Sequence, residues 1–460
     1  MNRFVAPARS LGLKLILVGA LAFILWIPCL MIYALVWERS SRADAVRSEI
    51  YELAGGEQTI SGPVLLVPAI VDTGKTTTLG EPVTRRITVA FTPQTLAING
   101  EVKTSVRKRS IFTATVYDAD ISLQGRFGPL TPPRIGDGVA TYLWKEASLA
   151  VKFANETSLK GVRAAPSLTI DGAPLRAAFE PGITIDAGDE TAAAPTSGVS
   201  AAFPISDPAA GFGFALSLPV SGGGALSLSP VGEETTARLV SDWPHPSFQG
   251  ARLPDGRTIS AKGFTAQWRV PYLARGLPRS FVADAGLYSL DSGKAFGVGF
   301  VATDSPYQSV NRALKYALMF VGIVFLTFFL IEATMGGRAH PAQYILLGLA
   351  QVVFYLLVLS FAEHIGFETA FIGAASATVF LSGIYAATVF RSVWRGLIAF
   401  LAFSGAYCLI YLLMKSEDYA LLIGSVAAFG AVALTMTVTR NLDWYGVRAD
   451  ESRDEARERR

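Results

Sequence analysis

Charge is scarce in this sequence. Only 17% of its 460 residues are Asp, Glu, Lys or Arg, against about 25% in soluble domains. Long stretches carry almost none, which excludes an ordinary cytosolic enzyme. A hydrophobic share of 51% likewise excludes a disordered or fibrous chain. Cysteine is nearly absent. Cys29 and Cys408 both lie in apolar runs, so the long polar middle of the chain has no disulfide to form. Histidine occurs three times, at His245, His340 and His364, with no His-Glu-x-x-His and no paired cysteines beside it, so support for a metal site is weak. The phosphate-cradling Gly-x-x-x-x-Gly-Lys-Ser/Thr is missing, and a net charge of +3 is too mild for nucleic-acid binding. No cofactor is expected.

What the chain does have is long apolar runs. The first, about 11–37, exceeds the roughly 20 residues that cross a hydrocarbon layer. Lys14 stands where it can snorkel to an interface. A cleaved signal peptide has a shorter apolar region, about 7–15 residues, and Pro28 before Cys29 does not fit a lipoprotein signal, so the run reads as an uncleaved anchor. Five more runs, about 313–331, 342–361, 370–390, 396–414 and 420–438, crowd the C-terminal third. Arg3, Arg9 and Lys14, then Arg338, then Arg391 and Arg395, then Arg440 fall in alternate breaks, whereas Glu363, His364 and Glu368, and Lys415, Glu417 and Asp418, fall in the others. By the positive-inside rule both termini are cytoplasmic and residues 38–312 are periplasmic.

That middle portion is read as β. Ile87–Phe91, Ile111–Tyr117, Ile121–Phe127 and Phe214–Leu218 alternate apolar and polar residues, which puts one face on a core. Pro93, Asn99-Gly100, Pro132-Pro133, Asp171-Gly172, Gly222-Gly223-Gly224 and Asp255-Gly256 read as turns. Glu38–Leu53 continues the first helix, and Ala187–Ser200 reads as a flexible loop. The expected fold is an α+β membrane protein, with six transmembrane helices and a large periplasmic all-β, sandwich-like domain between helices 1 and 2. There is length enough for a doubled sandwich. Its parts are 1–37, 38–312, a five-helix bundle over 313–440, and a charged cytoplasmic tail over 441–460.

Two sets of residues resemble catalytic machinery. Ser105-Val106-Arg107-Lys108 has Ser-x-x-Lys spacing but lies in strand-like surroundings, where residues three apart face opposite ways. Asp242, His245 and Ser247 are the residue types of a serine-hydrolase triad, but Pro244 and Pro246 hold them extended and facing apart. The segment Trp243-Pro244-His245-Pro246 with Phe248 is better read as a rigid corner that plugs a core or docks on something. In the membrane part, Glu332 ends the second run, with Arg338 as its expected partner and His340 close by. Tyr344, Gly348, Gln351 and Tyr355 share one helix face, and Gln351 must turn into the bundle, as interhelical glue or as part of a transport path.

Taken together, these segments resemble the CreD family of bacterial inner-membrane proteins. Arg312-Ala313-Leu314-Lys315-Tyr316-Ala317, Phe329-Leu330-Ile331-Glu332, His340-Pro341-Ala342-Gln343-Tyr344, Glu363-His364-Ile365-Gly366-Phe367 and Thr439-Arg440-Asn441-Leu442-Asp443-Trp444-Tyr445 carry the resemblance in the helical part. Ile60-Ser61-Gly62-Pro63-Val64-Leu65-Leu66-Val67-Pro68, Ser241–Phe248 and Gly263-Phe264-Thr265-Ala266-Gln267-Trp268 carry it in the β part. The resemblance implies a cell-envelope integrity protein, expressed with a two-component sensor system and, in several bacteria, under β-lactam stress. It supplies no catalytic residues. The expectation is therefore a multi-pass, non-enzymatic inner-membrane protein that binds an envelope protein or a peptidoglycan-related ligand through its β domain; the alternative is a transporter or flippase built on the bundle. Residues expected to interact or to hold the structure are Trp243, Pro244, His245, Pro246, Phe248, Glu332, Arg338, His340, Gln351, Glu363, His364, Arg440, Asp443 and Trp444.

Overall fold

In lipid a backbone must satisfy its own hydrogen bonds, so apolar runs of this length fold as helices. The computed structural model describes residues 11–76, 82–135, 140–175, 177–186, 196–283, 287, 290, 294–300, 306–416 and 419–440. Among them are six helices long and apolar enough to cross a membrane: Leu11–Leu53, Ala317–Met335, Pro341–Ile365, Phe367–Val389, Val393–Lys415 and Ala420–Thr439, taken below as the first to sixth spans. The first is 43 residues long, with its regular geometry interrupted at Leu25. The chain divides into two compact units, Met1–Ala43 with Asp304–Arg460, and Asp44–Thr303.

Those boundaries correct the expected 38–312. Residues 306–312 belong to the helical unit, because Pro306–Lys315 is a short amphipathic helix that buries Tyr307, Val310, Ala313 and Leu314. Spacings of three and four put these four on one face. Within this unit aromatic rings meet edge to face, Tyr407 taking Phe320 and Phe354 at centroid distances of 4.8 Å. The sixth span differs from the rest. Only Gly424 and Thr439 are buried along it, and Leu421, Phe429 and Met436 stand exposed, a surface suited to acyl chains.

Among the described residues, the other unit consists mainly of strands in two sheets, one of ten strands and one of eight. A single buried apolar cluster draws Val64, Leu66 and Val151 from the first and Ile98, Ile121 and Leu239 from the second. Larger sheets around one core, not two sandwiches, therefore take up the length. The alternating runs expected at 111–117 and 121–127 are one strand, Phe112–Phe127, paired antiparallel with Thr95–Arg109 and Phe212–Gly223. Asn99-Gly100 is no turn: it lies inside Thr95–Arg109. A Cβ on Gly100 would come within 2.5 Å of Leu239 Cδ2 and 2.9 Å of Ile121 Cδ1, so glycine is there to admit neighbouring core side chains. Asp171-Gly172 does turn, with both φ angles positive between Ser167–Ile170 and Ala173–Pro174. The stretch read as a loop over 187–200 ends in a strand, Thr196–Ala202; residues 187–195 lie outside the described residues, as do Asp443, Trp444 and the tail.

Candidate functional site

A carboxylate at the edge of a span needs a cation or water. Glu332, buried near the end of the second span, has a cation, and it is not Arg338. Lys14 of the first span donates to Glu332 Oε1 and also to the Ala339 carbonyl at 2.8 Å. The Ala339 N–H donates to Glu332 Oε1 at 2.9 Å, and Tyr344 Oη of the third span to Oε2 at 2.9 Å. Arg338 is exposed. Sequence proximity favoured Arg338, whereas Lys14 reaches Glu332 because the first span packs beside the second. Lys14 thus turns into the bundle instead of snorkelling outward, and three spans converge on one carboxylate. His340 caps the third helix: its Nδ1 accepts the Ala342 N–H at 3.2 Å, and its own N–H donates to Gln343 Oε1 at 2.8 Å. Arg395 donates to the Gly336 carbonyl at this same end.

Deeper in the bundle Gln351 is buried and fully engaged. Tyr407 Oη donates to its Oε1 at 2.7 Å, and its Nε2 donates to the Leu347 carbonyl at 3.3 Å and lies 3.5 Å from Ser382 Oγ. The amide therefore joins the third, fourth and fifth spans. Tyr355, one turn on, is buried, and its hydroxyl has no hydrogen-bond partner among the described residues. At the opposite end Tyr307 donates to Glu363 Oε1 at 3.0 Å, and Lys415 pairs with Glu368 at 2.6 Å. His364 and Arg440 are exposed.

In the β unit the acid of the supposed triad is spent elsewhere. Asp242 Oδ1 accepts the Thr104 N–H at 2.9 Å and the Thr104 hydroxyl at 2.8 Å, and Trp243 Nε1 donates to the His245 carbonyl at 2.8 Å. Pro244 and Pro246 hold the turn that this indole bond closes. Trp243 and Phe248 pack on the core, with Phe248 edge-on to Phe264 and Trp268. Ser105 and Lys108 are both exposed on the Thr95–Arg109 strand, about 10 Å apart along it. A cleft of about 400 Å³ lies between Phe91, Leu130, Pro132 and Pro133, with Glu233 and Arg279 paired at 3.0 Å on its rim. Near it Arg275 is fully buried, donating to Thr92 Oγ1 at 3.0 Å, to the Val231 carbonyl and to the Pro278 carbonyl at 3.3 Å. Burial holds its guanidinium below the usual arginine range, with the Glu233 charge opposing that shift.

Comparison with known proteins gives this arrangement a family. The family model described as Inner membrane protein CreD matches residues 10–445. Inner membrane protein CreD of Escherichia coli (strain K12) is 32% identical over 441 residues, covering 93% of this chain and 92% of that protein. The chain belongs to the CreD family. Among solved structures, a candidate nutrient binding protein of Legionella pneumophila aligns over 61% of this chain and 87% of its own at 8% identity, with a TM-score of 0.24, too low to bear on fold or function. Membership identifies a multi-pass inner-membrane protein. Of the residues singled out from the sequence, Glu332 and His340 lie at one end of the helical unit, Glu363 at the other, and Trp243–Phe248 form a corner of the β unit. Sequence reasoning gave no role to Tyr407 or Arg275 and paired Glu332 with the wrong cation. Nothing in a lone arginine or tyrosine marks it for burial, and an ion pair across 318 residues leaves no local pattern.

Proposed function

We propose that this CreD-family protein is a non-enzymatic envelope integrity protein whose β unit, inserted between the first and second spans, stands in the periplasm and binds an envelope component. The observation that carries this reading is how the β unit uses its polar groups. Asp242, Trp243 and Arg275 are committed to holding loops and strands in place, which suits a rigid recognition body more than a reacting centre. Binding is tested on the full-length protein in lipid nanodiscs against peptidoglycan fragments, anionic and zwitterionic lipids, and solubilised envelope proteins. At least one class should bind with a Kd in the micromolar range or below, about −8 kcal/mol; failure of all three rejects the reading.

The proposed orientation rests on how Lys and Arg divide between the ends of the bundle. Lys14, Arg338, Arg391, Arg395 and Arg440 stand at one end against Arg312, Lys315 and Lys415 at the other, an excess that supports cytoplasmic termini. With Cys29 and Cys408 replaced by alanine, a cysteine at Thr258 should react with a membrane-impermeant maleimide in spheroplasts. A cysteine at Arg338 should react only after lysis, and the reverse pattern inverts the topology. Transport through the bundle has less behind it, because the Gln351 amide is already bonded within the protein.

A further inference from the structure

The edge strands of the β unit are not alike. One end of the eight-stranded sheet is Ala173–Pro174, two residues long with a proline. The ten-stranded sheet ends on Glu180–Ile183, which contains Pro181, and on Ser247–Gly250, which follows Pro246, and its side branches end on Ala140–Tyr142 and Ser280–Val282, three residues each. Proline and shortness are the usual means of keeping an edge from recruiting another chain. The remaining end, Gly256–Ser260, has neither. It is five residues long, every one of them exposed, and among the described residues it pairs only with Gly263–Val270.

Its register reveals an unfinished core. Arg257 lies opposite Ala266 and Ile259 opposite Phe264, and both of those partners are buried. Arg257 and Ile259 therefore point to the core side of the sheet, yet Ile259 is 49% exposed. The Arg257 guanidinium stands over the half-buried Phe248 ring at 5.8 Å. A core-facing isoleucine and phenylalanine at an open edge are what an added strand would cover. The charge of the edge selects the strand. Between Ala251 and Gly263 the chain carries Arg252, Arg257 and Lys262 against the single acid Asp255, which is itself held by the Arg269 N–H at 2.7 Å and by Arg252.

We infer that Gly256–Ser260 is a docking edge for an extended acidic segment of another protein, which adds as a ninth strand to the eight-stranded sheet. Backbone hydrogen bonds hold it, an apolar residue covers Ile259 and Phe248, and an acidic residue meets Arg257. This rests on the β unit being a binding body and names the class of partner.

The test uses full-length protein in nanodiscs and two labelled decapeptides, one alternating valine with glutamate and one alternating valine with lysine. The acidic peptide should bind at least about tenfold tighter than the basic one and weaken as salt is raised. Ile259→Asp, at an exposed position, should lower its affinity about tenfold or more, and Arg257→Glu should reverse the preference between the peptides. Equal binding of the two peptides, no binding of the acidic one, or unchanged binding to Ile259→Asp overturns the proposal. So does a dimer of the protein that Ile259→Asp converts to monomer while the acidic peptide fails to bind, since the edge then serves a second copy. Binding of peptidoglycan or lipid in the broader assay alongside any of these failures would reject the docking edge and leave the binding role standing.

Discussion

Replacing Lys14 by alanine is expected to destabilise the helical unit by about 3–5 kcal/mol, the largest effect of any single charge removal in the bundle. Glu332 would keep the Ala339 N–H and the Tyr344 hydroxyl but would be left buried without a cation. Hydrogen bonds from neutral donors do not offset the charge of a carboxylate removed from water. The cost belongs to the uncompensated charge and not to the contact, so removing both charges together should be far milder. Lys14→Met with Glu332→Gln retains an acceptor for Tyr344 or the Ala339 N–H and leaves no buried ion. The midpoint of heat-induced loss of monodisperse protein in detergent, read by size exclusion, should fall steeply for Lys14→Ala and return most of the way for the double variant. An unchanged midpoint for Lys14→Ala, or a double variant no better than the single one, removes the ion pair from the account of how the first three spans are held. Arg338→Ala is the control, since Arg338 is exposed and should leave the midpoint where it was.

The same residues mark how far the sequence could be read. The spans were legible because lipid leaves a long apolar run no alternative to helix, and the strands because alternation shows directly which face is buried. Sheet size and partnering were not. Asn99-Gly100 is the strongest short signal for a hairpin, yet the chain passes straight through it, because Gly100 is required where Leu239 and Ile121 crowd the backbone. A turn and a crowded strand ask for glycine alike, and only the third dimension separates them. Proline was the better guide: Pro244 and Pro246 argued against a triad, and Asp242 serves Thr104 on the neighbouring strand of its sheet. Lys14 and Glu332 each stood out as charges near membrane boundaries, but nothing local joined them. Proximity in sequence pointed to Arg338, and it failed because helix packing decides which cation reaches a buried carboxylate.

Two glycines in the spans should respond differently to the same substitution. A Cβ on Gly348 of the third span would lie 2.1 Å from Leu25 Cδ1 and 2.8 Å from Phe325 Cζ, both the far ends of side chains. A Cβ on Gly396 of the fifth span would lie 2.4 Å from Ala387 Cβ and also 2.9 Å from its Cα and 3.1 Å from its N, so the obstacle there is the backbone of the fourth span. Small residues admit such close approach between helices in a membrane. Valine at either position should cost about 1–3 kcal/mol or more through overpacking, seen as a lower thermal midpoint and a smaller yield of folded protein. The two should part when a suppressor is added. Leu25→Ala removes the nearest obstacle to Gly348→Val and leaves only the far edge of the Phe325 ring to give way, so it should recover part of the loss. Ala387→Gly removes only the nearest of three obstructing atoms, so Gly396→Val should stay impaired, the fourth and fifth spans being forced apart whatever side chain stands at 387. Equal rescue of both would mean that the fourth and fifth spans are not in backbone contact at Gly396. Rescue of neither would mean that Leu25 does not set how closely the first span approaches the third.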